Sequence, residues 1–440
     1  MDDRSTESIW DPNRESKNFI GSISANYWHN SGRYIWTGDN PVRCSNRTSR
    51  RILFGRCWTG WFSIGRSLLF LVTPIGKFME YSLADLSMGD HGIIQRYREF
   101  LPVSEETCII SLNEGNTPLI QSYNLVQTIG GEFRLFIKYE GLNPTASFKD
   151  RGMTMAVTKA VEKGVRAIVC ASTGNTSASA AAYASRAGLT CLVLIPEGKI
   201  SYGKMAQALI HGARTVEIRG NFDNALDLVR ELGMRDDIEI VNSINPFRIQ
   251  GQKTAAFEIC DELGDAPGLH FLPVGNAGNI TSYWMGYKEY RDAGRSNSLP
   301  RMMGWQAANS APIVNGHVID SPETVATAIR IGNPASWKQA VRASEESSGV
   351  IDSVSDEEIL DAQRMLARTE GIFVEPASAA GIAGLVKSHS KGDIPHDSTV
   401  VVTVTGHGLK DPGIAIENAK SRSVVVEPDI TSVLDVIDME

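Results

Sequence analysis

Lys149 is the residue whose type and neighbours point most clearly to chemistry, and it lies in the segment SFKDRG, residues 147–152. A lysine amine forms a Schiff base with an aldehyde only when it is unprotonated, and an ordinary pKa of about 10.4 leaves little free amine at neutral pH. We predict that Lys149 lies in the first turn of a helix, with Ser147 as its N-cap. A cation there opposes the helix dipole, which favours the neutral amine. The six residues alone also fit a surface lysine paired with Asp150.

A second segment, GNAGN at residues 275–279, is suited to binding a phosphate group. It follows an apolar stretch, 270–274, that reads as a buried strand, and it precedes a helix predicted over 280–290. Such a turn presents several backbone N–H groups to one anion. Three or four charge-assisted hydrogen bonds of about 1.5–3 kcal/mol each could hold a phosphate dianion without a lysine. The loop lacks the Gly-Lys-Ser/Thr of a nucleotide P-loop, and an ordinary tight turn is the alternative.

Two further segments place small and hydroxyl residues after predicted strands. The strand 167–171 is followed by STGNTS, residues 172–177, which runs into an Ala-rich helix over 178–187. A late β-rich run, VVTVTGHG, occupies residues 401–408. In doubly wound folds, ligands bind beyond the carboxyl ends of the strands. An imine-forming lysine and a phosphate-binding loop are what an enzyme that uses pyridoxal 5'-phosphate must build, and the four segments together favour that interpretation over coincidence.

From about residue 91 to the C-terminus, the sequence resembles threonine synthase, a family of fold-type II pyridoxal phosphate enzymes. The motifs that carry the resemblance are EGNTPL (114–119), NPTASFKDRG (143–152), STGNTSAS (172–179), NPFRIQGQK (245–253), GNAGN (275–279) and TGHGLKDP (405–412). The resemblance implies an α/β fold like that of the tryptophan synthase β chain, with two domains, parallel-rich sheets and flanking helices.

The resemblance also implies a role for individual residues. Lys149 would form the imine with the cofactor and then transfer protons, Asn175 would bond the cofactor's ring hydroxyl, and Thr405 would meet the pyridine nitrogen. The cofactor phosphate would be held by Gly275, Asn276, Ala277, Gly278 and Asn279. The substrate phosphate would be held by Thr176, Ser243, Arg248 and Asn276. A planar guanidinium can bind a phosphate with two bonds, although Arg248 could also be a surface arginine near a helix start.

The implied reaction converts O-phospho-L-homoserine and water to L-threonine and phosphate. Two alternatives stay open at this point. A threonine or serine dehydratase on the same fold would need the lysine and the glycine loop, but not a second phosphate site. A protein that binds pyridoxal phosphate without turnover would keep the same motifs, and loss of activity on changing Lys149 would exclude it.

Composition limits the other classes of function. The net charge of −8 and the isoelectric point near 5.6 argue against nucleic-acid binding, and no apolar run is long enough to span a membrane. The six cysteines form no Cys-x-x-Cys pair, so Cys170 and Cys191, in apolar strand patterns, are expected to be buried free thiols in a reducing compartment. No metal is expected, because the eight histidines lack metal-ligand spacing. His407 is expected to be a packing neighbour of Thr405.

The pattern along the chain predicts three regions. Alternating strands and helices favour a small α/β domain over residues 165–242, and residues 91–164 with 243–440 would form a large domain that shares the cofactor cleft with it. Residues 1–90 match nothing in the family. They are expected to reflect a start placed too early, with an organelle-targeting arm or an appended binding element as alternatives.

Three further predictions concern a loop, the C-terminal tail, and the location and oligomeric state of the protein. Residues 199–204 are a candidate mobile loop. The tail is predicted to complete the large domain, with a strand-like stretch over 423–428 and an amphipathic stretch over 433–437. A cytoplasmic enzyme, monomeric or homodimeric, is expected unless the N-terminal region proves to be a transit peptide.

Overall fold

The computed structural model describes residues 61–63, 68–72, 78–82, 92–198, 202–220, 222–419 and 423–437. Two compact units divide the chain, Met1–Leu83 and Ala84–Glu440. In the first unit, an antiparallel sheet joins β1 (Trp61–Ser63), β2 (Leu68–Val72) and β3 (Phe78–Ser82) in that order. We did not predict this sheet from the sequence. The expectations of a misplaced start or a targeting arm concern residues that lie largely outside the described ones, and they stay predictions.

A six-stranded sheet forms the centre of the second unit, with the order β12-β11-β10-β13-β5-β4. All neighbouring pairs are parallel except β4 and β5, which are antiparallel. Parallel strands covered by helices on both faces read as continuous apolar runs, as the fully buried LHFLP of β10 does. The strand bounds are β4 (Leu119–Ser122), β5 (Arg134–Tyr139), β10 (Leu269–Pro273), β11 (Arg301–Ala307), β12 (Val350–Val354) and β13 (Thr399–Val404).

A second sheet of four parallel strands has the order β8-β7-β6-β9. Its strands are β6 (Ala167–Ala171), β7 (Thr190–Pro196), β8 (Arg214–Ile218) and β9 (Ile238–Ile240). The alternating pattern over 165–242 therefore predicted the strands of this sheet and their parallel pairing, with ends that differ by one or two residues. The proposed division into a small and a large domain stays a prediction.

Helices cover both sheets. The α-helices are α1 (Gly92–Arg96), α2 (Asn124–Ile129), α3 (Lys149–Glu162), α4 (Asn175–Ala187), α5 (Tyr202–Ile210), α6 (Phe222–Leu232), α7 (Pro246–Gln252), α8 (Thr254–Leu263), α9 (Gly278–Asp292), α10 (Pro312–Asn315), α11 (Trp337–Glu346), α12 (Asp356–Glu370), α13 (Pro376–Ser390), α14 (Pro412–Asn418) and α15 (Ile430–Ile437). Short 3-10 helices occupy Arg98–Phe100, Glu140–Leu142, Thr327–Ile329 and Gly408–Lys410. The architecture is the α/β fold with flanking helices that the resemblance implied.

Successive side chains along each strand point to opposite faces of the sheet, so the apolar core is divided between the two faces. In the large sheet, Ile137 and Val402 pack into one apolar cluster, while the adjacent Phe136 and Val401 pack into the cluster on the other face. The small sheet is built the same way, and Cys170 lies in one of its two clusters. Cys170 and Cys191 are buried free thiols, as predicted.

A buried charge network fixes the start of α3 against its neighbours. Arg151 donates from Nε to Glu140 (2.7 Å) and from Nη2 to Glu258 on α8 (2.6 Å). Lys138 on β5 donates to the same Glu258 carboxylate at 2.8 Å. None of the four side chains is more than 3% exposed, and two cations balance two carboxylates. Such an arrangement is costly to break, because any single removal leaves an uncompensated buried charge.

Replacing Glu258 by alanine should lower the free energy of unfolding by about 3–5 kcal/mol, because Lys138 would lose its carboxylate partner and Arg151 would lose one of its two. Burial raises the pKa of Glu258, but the charges of Arg151 and Lys138 outweigh burial and hold it well below its usual value. The contribution is therefore present above the unfolded-state pKa and is lost only as the pH falls through the lower folded-state pKa.

Urea unfolding measures the effect of this change. The matched control is Asp227→Ala, which removes one side of an exposed pair with Arg230 and should cost less than about 1 kcal/mol. Equal losses in the two variants would show that the buried network is not what holds α3 in place.

The C-terminal segment differs from the prediction. No strand forms over 423–428, and Val425 is 97% exposed. The amphipathic stretch is part of α15, whose apolar residues Ile430 and Ile437 are also exposed. In the part of the chain that the structure describes, no helix has the length and apolar character that crossing a membrane requires.

Candidate active site

Lys149 is the first residue of α3, as predicted, but the local structure that places it there is not the predicted cap. Phe148 occupies the N-cap position without a side-chain hydrogen bond, and the Ser147 hydroxyl is buried without a partner among the described residues. The Asp150 carboxylate instead reaches back and accepts hydrogen bonds from the backbone N–H and the hydroxyl of Thr145, both at 2.6 Å. Ser179 on α4 donates to the same carboxylate at 2.6 Å.

Asp150 therefore anchors the beginning of α3 to α4 and does not pair with Lys149. Burial raises the pKa of Asp150 to about 6, although the hydrogen bonds from Ser179 and Thr145 oppose that rise. The interpretation of Lys149 as a surface lysine paired with Asp150 is wrong.

The surroundings of the Lys149 amine favour its neutral form. Its Nζ lies 4.2 Å from the centre of the Phe148 ring, and no ion pair to it occurs within the described ranges. The pKa of Lys149 is lowered to about 7, chiefly by burial and also by the Arg248 cation, while Glu375 opposes both. With this pKa, a large fraction of the amine is unprotonated at neutral pH, which is the state that imine formation requires. Burial and a neighbouring cation thus achieve what we had ascribed to the helix dipole.

The rate at which the apoprotein captures pyridoxal 5'-phosphate should rise with pH to a midpoint near 7 and then level off. Arg248→Met removes a cation and should move the midpoint up, whereas Glu375→Gln removes an anion and should move it down. Stopped-flow absorbance of imine formation across pH measures all three. A midpoint near 10 in each protein would contradict the geometry, and Lys163→Ala, at the far end of the α3 segment, is a control expected to change nothing.

The GNAGN loop lies where β10 meets α9 and forms a row of free donors. Ala277 adopts a left-handed conformation (φ 63°) at the N-cap of α9. Among the described residues, no carbonyl or side chain accepts a hydrogen bond from the backbone N–H groups of residues 275–279. Asn279 adds a buried side-chain N–H without a partner there. A side chain at Gly275 would come within 3.0 Å of the Ile329 backbone, so the loop needs glycine at that position.

These unpaired donors fit a phosphate group, which would satisfy several buried N–H groups at once. Unpaired donors of this kind favour a phosphate-binding turn over an ordinary tight turn, which pairs its own donors or exposes them to water. Asn276 links the loop to the residue that precedes α11: its backbone carbonyl accepts a hydrogen bond from the backbone N–H of Ser336 at 3.1 Å.

Asn175 and Thr405 are each held by a residue at the start of α13. The Asn175 amide donates to both carboxylate oxygens of Glu375, at 3.0 and 3.1 Å. The Thr405 hydroxyl lies 2.9 Å from the hydroxyl of Ser378. The backbone N–H of Phe148 donates to the Thr405 carbonyl at 2.9 Å, which brings Thr405 beside Lys149.

The sequence reading missed Glu375 and Ser378. Pro376 marks a helix start, but the partner of Glu375 lies 200 residues away, so no local signal shows the contact. Lys410 belongs to the TGHGLKDP motif, and the sequence assigned it no role. Its amine donates a hydrogen bond to the Gln207 side chain on α5. Burial lowers its pKa, whereas Glu375 and Asp150 oppose that shift.

Arg248 is a buried guanidinium, and no carboxylate among the described residues pairs with it. It is 1% exposed, donates from Nη1 to the Val241 carbonyl at 3.2 Å, and leaves its Nε without a partner in the described part of the chain. Burial lowers the pKa of Arg248 to about 10, and the interaction with Cys170 opposes that shift. A buried cation of this kind calls for an anionic ligand. The surface-arginine alternative is therefore wrong.

The other predicted phosphate ligands are less fully placed. Arg248 is in α7, whose start is capped by Asn245 accepting from the Phe247 N–H at 3.0 Å. Gly278 approaches Ile249, so the glycine loop borders α7. Thr176 and Ser243 are half-buried, and no contact within the described ranges joins either to Arg248.

His407 stacks on Tyr139 with ring centres 6.1 Å apart and lies edge-on to Phe373. Its Nδ1 accepts from the Leu409 N–H at 3.1 Å, and burial lowers its pKa. These contacts are those of a packing residue, as predicted. Of the candidate loop at 199–204, residues 199–201 lie outside the described residues, and no group of side chains able to hold a metal ion occurs among those described.

Comparison with known proteins identifies the family. The family model described as "Pyridoxal-phosphate dependent enzyme" matches residues 110–406. The threonine synthase of Halalkalibacterium halodurans is 58% identical over 344 residues, which are 78% of this chain and 96% of that protein. The threonine synthase of Mycobacterium bovis is 59% identical over 339 residues, 77% of this chain and 94% of its own. Among solved structures, an L-serine ammonia-lyase from Rhizomucor miehei gives a TM-score of 0.60 at 23% identity, covering 70% of this chain and 99% of its own.

Proposed function

Because this chain belongs to the threonine synthase family of pyridoxal-phosphate dependent enzymes, we propose that it converts O-phospho-L-homoserine and water to L-threonine and phosphate. Its cofactor is pyridoxal 5'-phosphate. The single observation that carries the choice of substrate is Arg248, a buried cation without a carboxylate partner among the described residues, which interacts with an amine suited to imine formation. One anion site at the glycine loop and a second at Arg248 match a phosphorylated cofactor and a phosphorylated substrate.

We assign the cofactor contacts to the residues that the resemblance implied. The five N–H groups of residues 275–279 and the Asn279 side chain would hold the cofactor phosphate, Asn175 the ring hydroxyl and Thr405 the ring nitrogen. Lys149 would bind the cofactor covalently. When bound, pyridoxal 5'-phosphate supplies an electron sink for the charge that develops as protons leave the substrate carbons.

The chain's own groups would then handle protons and charge. The Lys149 amine, with a pKa of about 7, can take a proton from Cα and from Cβ. Two protons would later return to the carbon chain, one to Cγ, which becomes the methyl group, and one to Cα. Arg248 would hold the substrate phosphate and offset its charge as it departs from Cγ, with Thr176, Ser243 and Asn276 as the proposed neutral ligands. Water would add its oxygen to Cβ.

A dehydratase is the second candidate, because its chemistry needs the lysine and the glycine loop alone. A dehydratase would have no use for the Arg248 site, and a buried uncompensated cation kept without use would only destabilise the fold. The motifs of a turnover enzyme are all in place around Lys149, which argues against a protein that only binds the cofactor.

Product analysis tests the proposal. Purified protein with pyridoxal 5'-phosphate is offered O-phospho-L-homoserine and, separately, L-threonine and L-serine. We expect threonine and phosphate from the first in equal amounts. Ammonia and 2-oxoacids from the hydroxy amino acids, with phosphohomoserine untouched, would make the protein a dehydratase. The cytoplasmic location, with an organelle as the alternative, and a homodimeric state stay predictions for fractionation and sedimentation.

A further inference from the structure

The Ser378 side chain makes several hydrogen bonds, and all of them are to Thr405 and Gly406, the two residues that follow β13. The hydroxyl oxygen accepts from the backbone N–H of Thr405 at 2.9 Å and from that of Gly406 at 2.8 Å. It also lies 2.9 Å from the Thr405 hydroxyl and 3.2 Å from the Gly406 carbonyl. Both Ser378 and Thr405 are buried, at 0% and 4% exposure.

The number of protons and lone pairs fixes the direction of these bonds. A serine hydroxyl has two lone pairs and one hydrogen. The two backbone N–H groups occupy both lone pairs of Ser378, so the serine cannot also accept from Thr405. Its single hydrogen is therefore donated, and the Thr405 hydroxyl at 2.9 Å is a nearer acceptor than the Gly406 carbonyl at 3.2 Å. With either acceptor, Ser378 has no lone pair left to accept the Thr405 hydrogen.

Thr405 is thereby left with a hydroxyl hydrogen that no group in the described part of the chain accepts. We propose that Ser378 is a positioning residue, which orients the Thr405 hydroxyl as a hydrogen-bond donor to an unprotonated ring nitrogen of the cofactor. This inference rests on the proposed cofactor site. It assigns the ring-nitrogen contact a fixed direction, and it places the cause in a side chain that need not touch the cofactor.

The consequence for the cofactor is electronic. A ring nitrogen that accepts a hydrogen bond from a neutral hydroxyl stays unprotonated, whereas a carboxylate in that position would favour the protonated ring. The serine keeps the threonine from turning its hydrogen inward, where it would leave the ring nitrogen facing only an oxygen lone pair. Such a contact would be repulsive and would weaken cofactor binding.

The test uses holoprotein carrying pyridoxal 5'-phosphate labelled with nitrogen-15 in the ring. In the wild type, the ring-nitrogen resonance should be that of an unprotonated nitrogen that accepts a hydrogen bond. In Ser378→Ala it should move toward that of an unbonded ring, and the dissociation constant of the cofactor should rise about tenfold, as loss of one hydrogen bond predicts. An unchanged resonance and an unchanged dissociation constant would overturn the inference, as would a protonated ring in the wild type.

Ser378→Ala also deprives two buried N–H groups of their acceptor, so a second pair of variants guards against misfolding. Thr405→Val leaves the bonds of Ser378 to both backbone groups in place and should give the unbonded resonance, whereas Thr405→Ser should match the wild type. A Thr405→Val protein with the wild-type resonance would overturn the inference. A wild-type protein that binds no labelled cofactor would instead overturn the proposed site itself, and the inference with it.

Discussion

Replacing Lys149 by alanine should lower the turnover of O-phospho-L-homoserine by roughly 10⁴-fold or more, because the covalent hold on the cofactor and the proton transfers are lost together. Lys410, the other lysine that interacts with Glu375 among the described residues, does not replace this amine, because its own amine bonds Gln207. The loss should be accompanied by disappearance of the imine absorbance, while noncovalent binding of the cofactor through the glycine loop persists at reduced affinity.

Lys163→Ala is the matched control, since it removes a lysine from the C-terminal end of the same helical segment, where the side chain pairs with Glu239 on the surface. Its turnover should equal that of the wild type. Steady-state kinetics and an absorbance spectrum of each variant settle the comparison. If Lys149→Ala kept even one-tenth of the wild-type rate, the amine could not be the group that carries the reaction.

Replacing Arg248 by methionine should have the second largest effect, with opposite consequences for activity and for stability. Two charge-assisted hydrogen bonds to the substrate phosphate, at about 1.5–3 kcal/mol each, imply a fall in kcat/KM of about 10²- to 10⁴-fold. The free energy of unfolding should stay the same or rise, because methionine fills a similar volume without a buried charge. A guanidinium that served the fold through an ion pair would behave in the reverse way.

Added inorganic phosphate provides an independent measurement of the same site. With the cofactor bound, phosphate should raise the melting temperature of the wild type and leave that of Arg248→Met unchanged, since a ligand stabilises only the state that binds it. Arg230→Met, on the exposed face of α6, is the control and should keep both the phosphate effect and full activity. A destabilised Arg248→Met protein with near-normal kcat/KM would contradict the proposal that Arg248 binds the substrate phosphate.

The sequence predicted the parts of the site that are written in local patterns. A strand followed by GNAGN and a helix predicts a phosphate-binding turn, and the described structure, in line with that prediction, leaves those N–H groups unpaired. The alternation of strands and helices over 165–242 likewise specified a parallel sheet, because short apolar runs between helices have few other solutions.

What the sequence could not supply are contacts between distant segments. Glu375 meets Asn175 across 200 residues, and Ser378 meets Thr405 across 27, so neither pairing leaves a local pattern. The Ser147 cap was wrong for a different reason: the N–H groups of Asp150 and Arg151 bond the backbone carbonyls of Ser147 and Phe148, not the Ser147 hydroxyl. The strand expected over 423–428 failed because valine-rich composition favours a strand only where another strand is available to pair with it.

The most direct test of the central claim is the fate of the oxygen atoms when the reaction runs in water enriched in oxygen-18. In the proposed reaction the Cγ–O bond breaks, and an oxygen atom from water forms a bond with Cβ. We therefore expect one labelled oxygen in the hydroxyl of the L-threonine formed and none in the phosphate released. Label in the phosphate, with unlabelled L-homoserine as the other product, would mean that the P–O bond is hydrolysed, and it would contradict both the assigned reaction and the role given to Lys149.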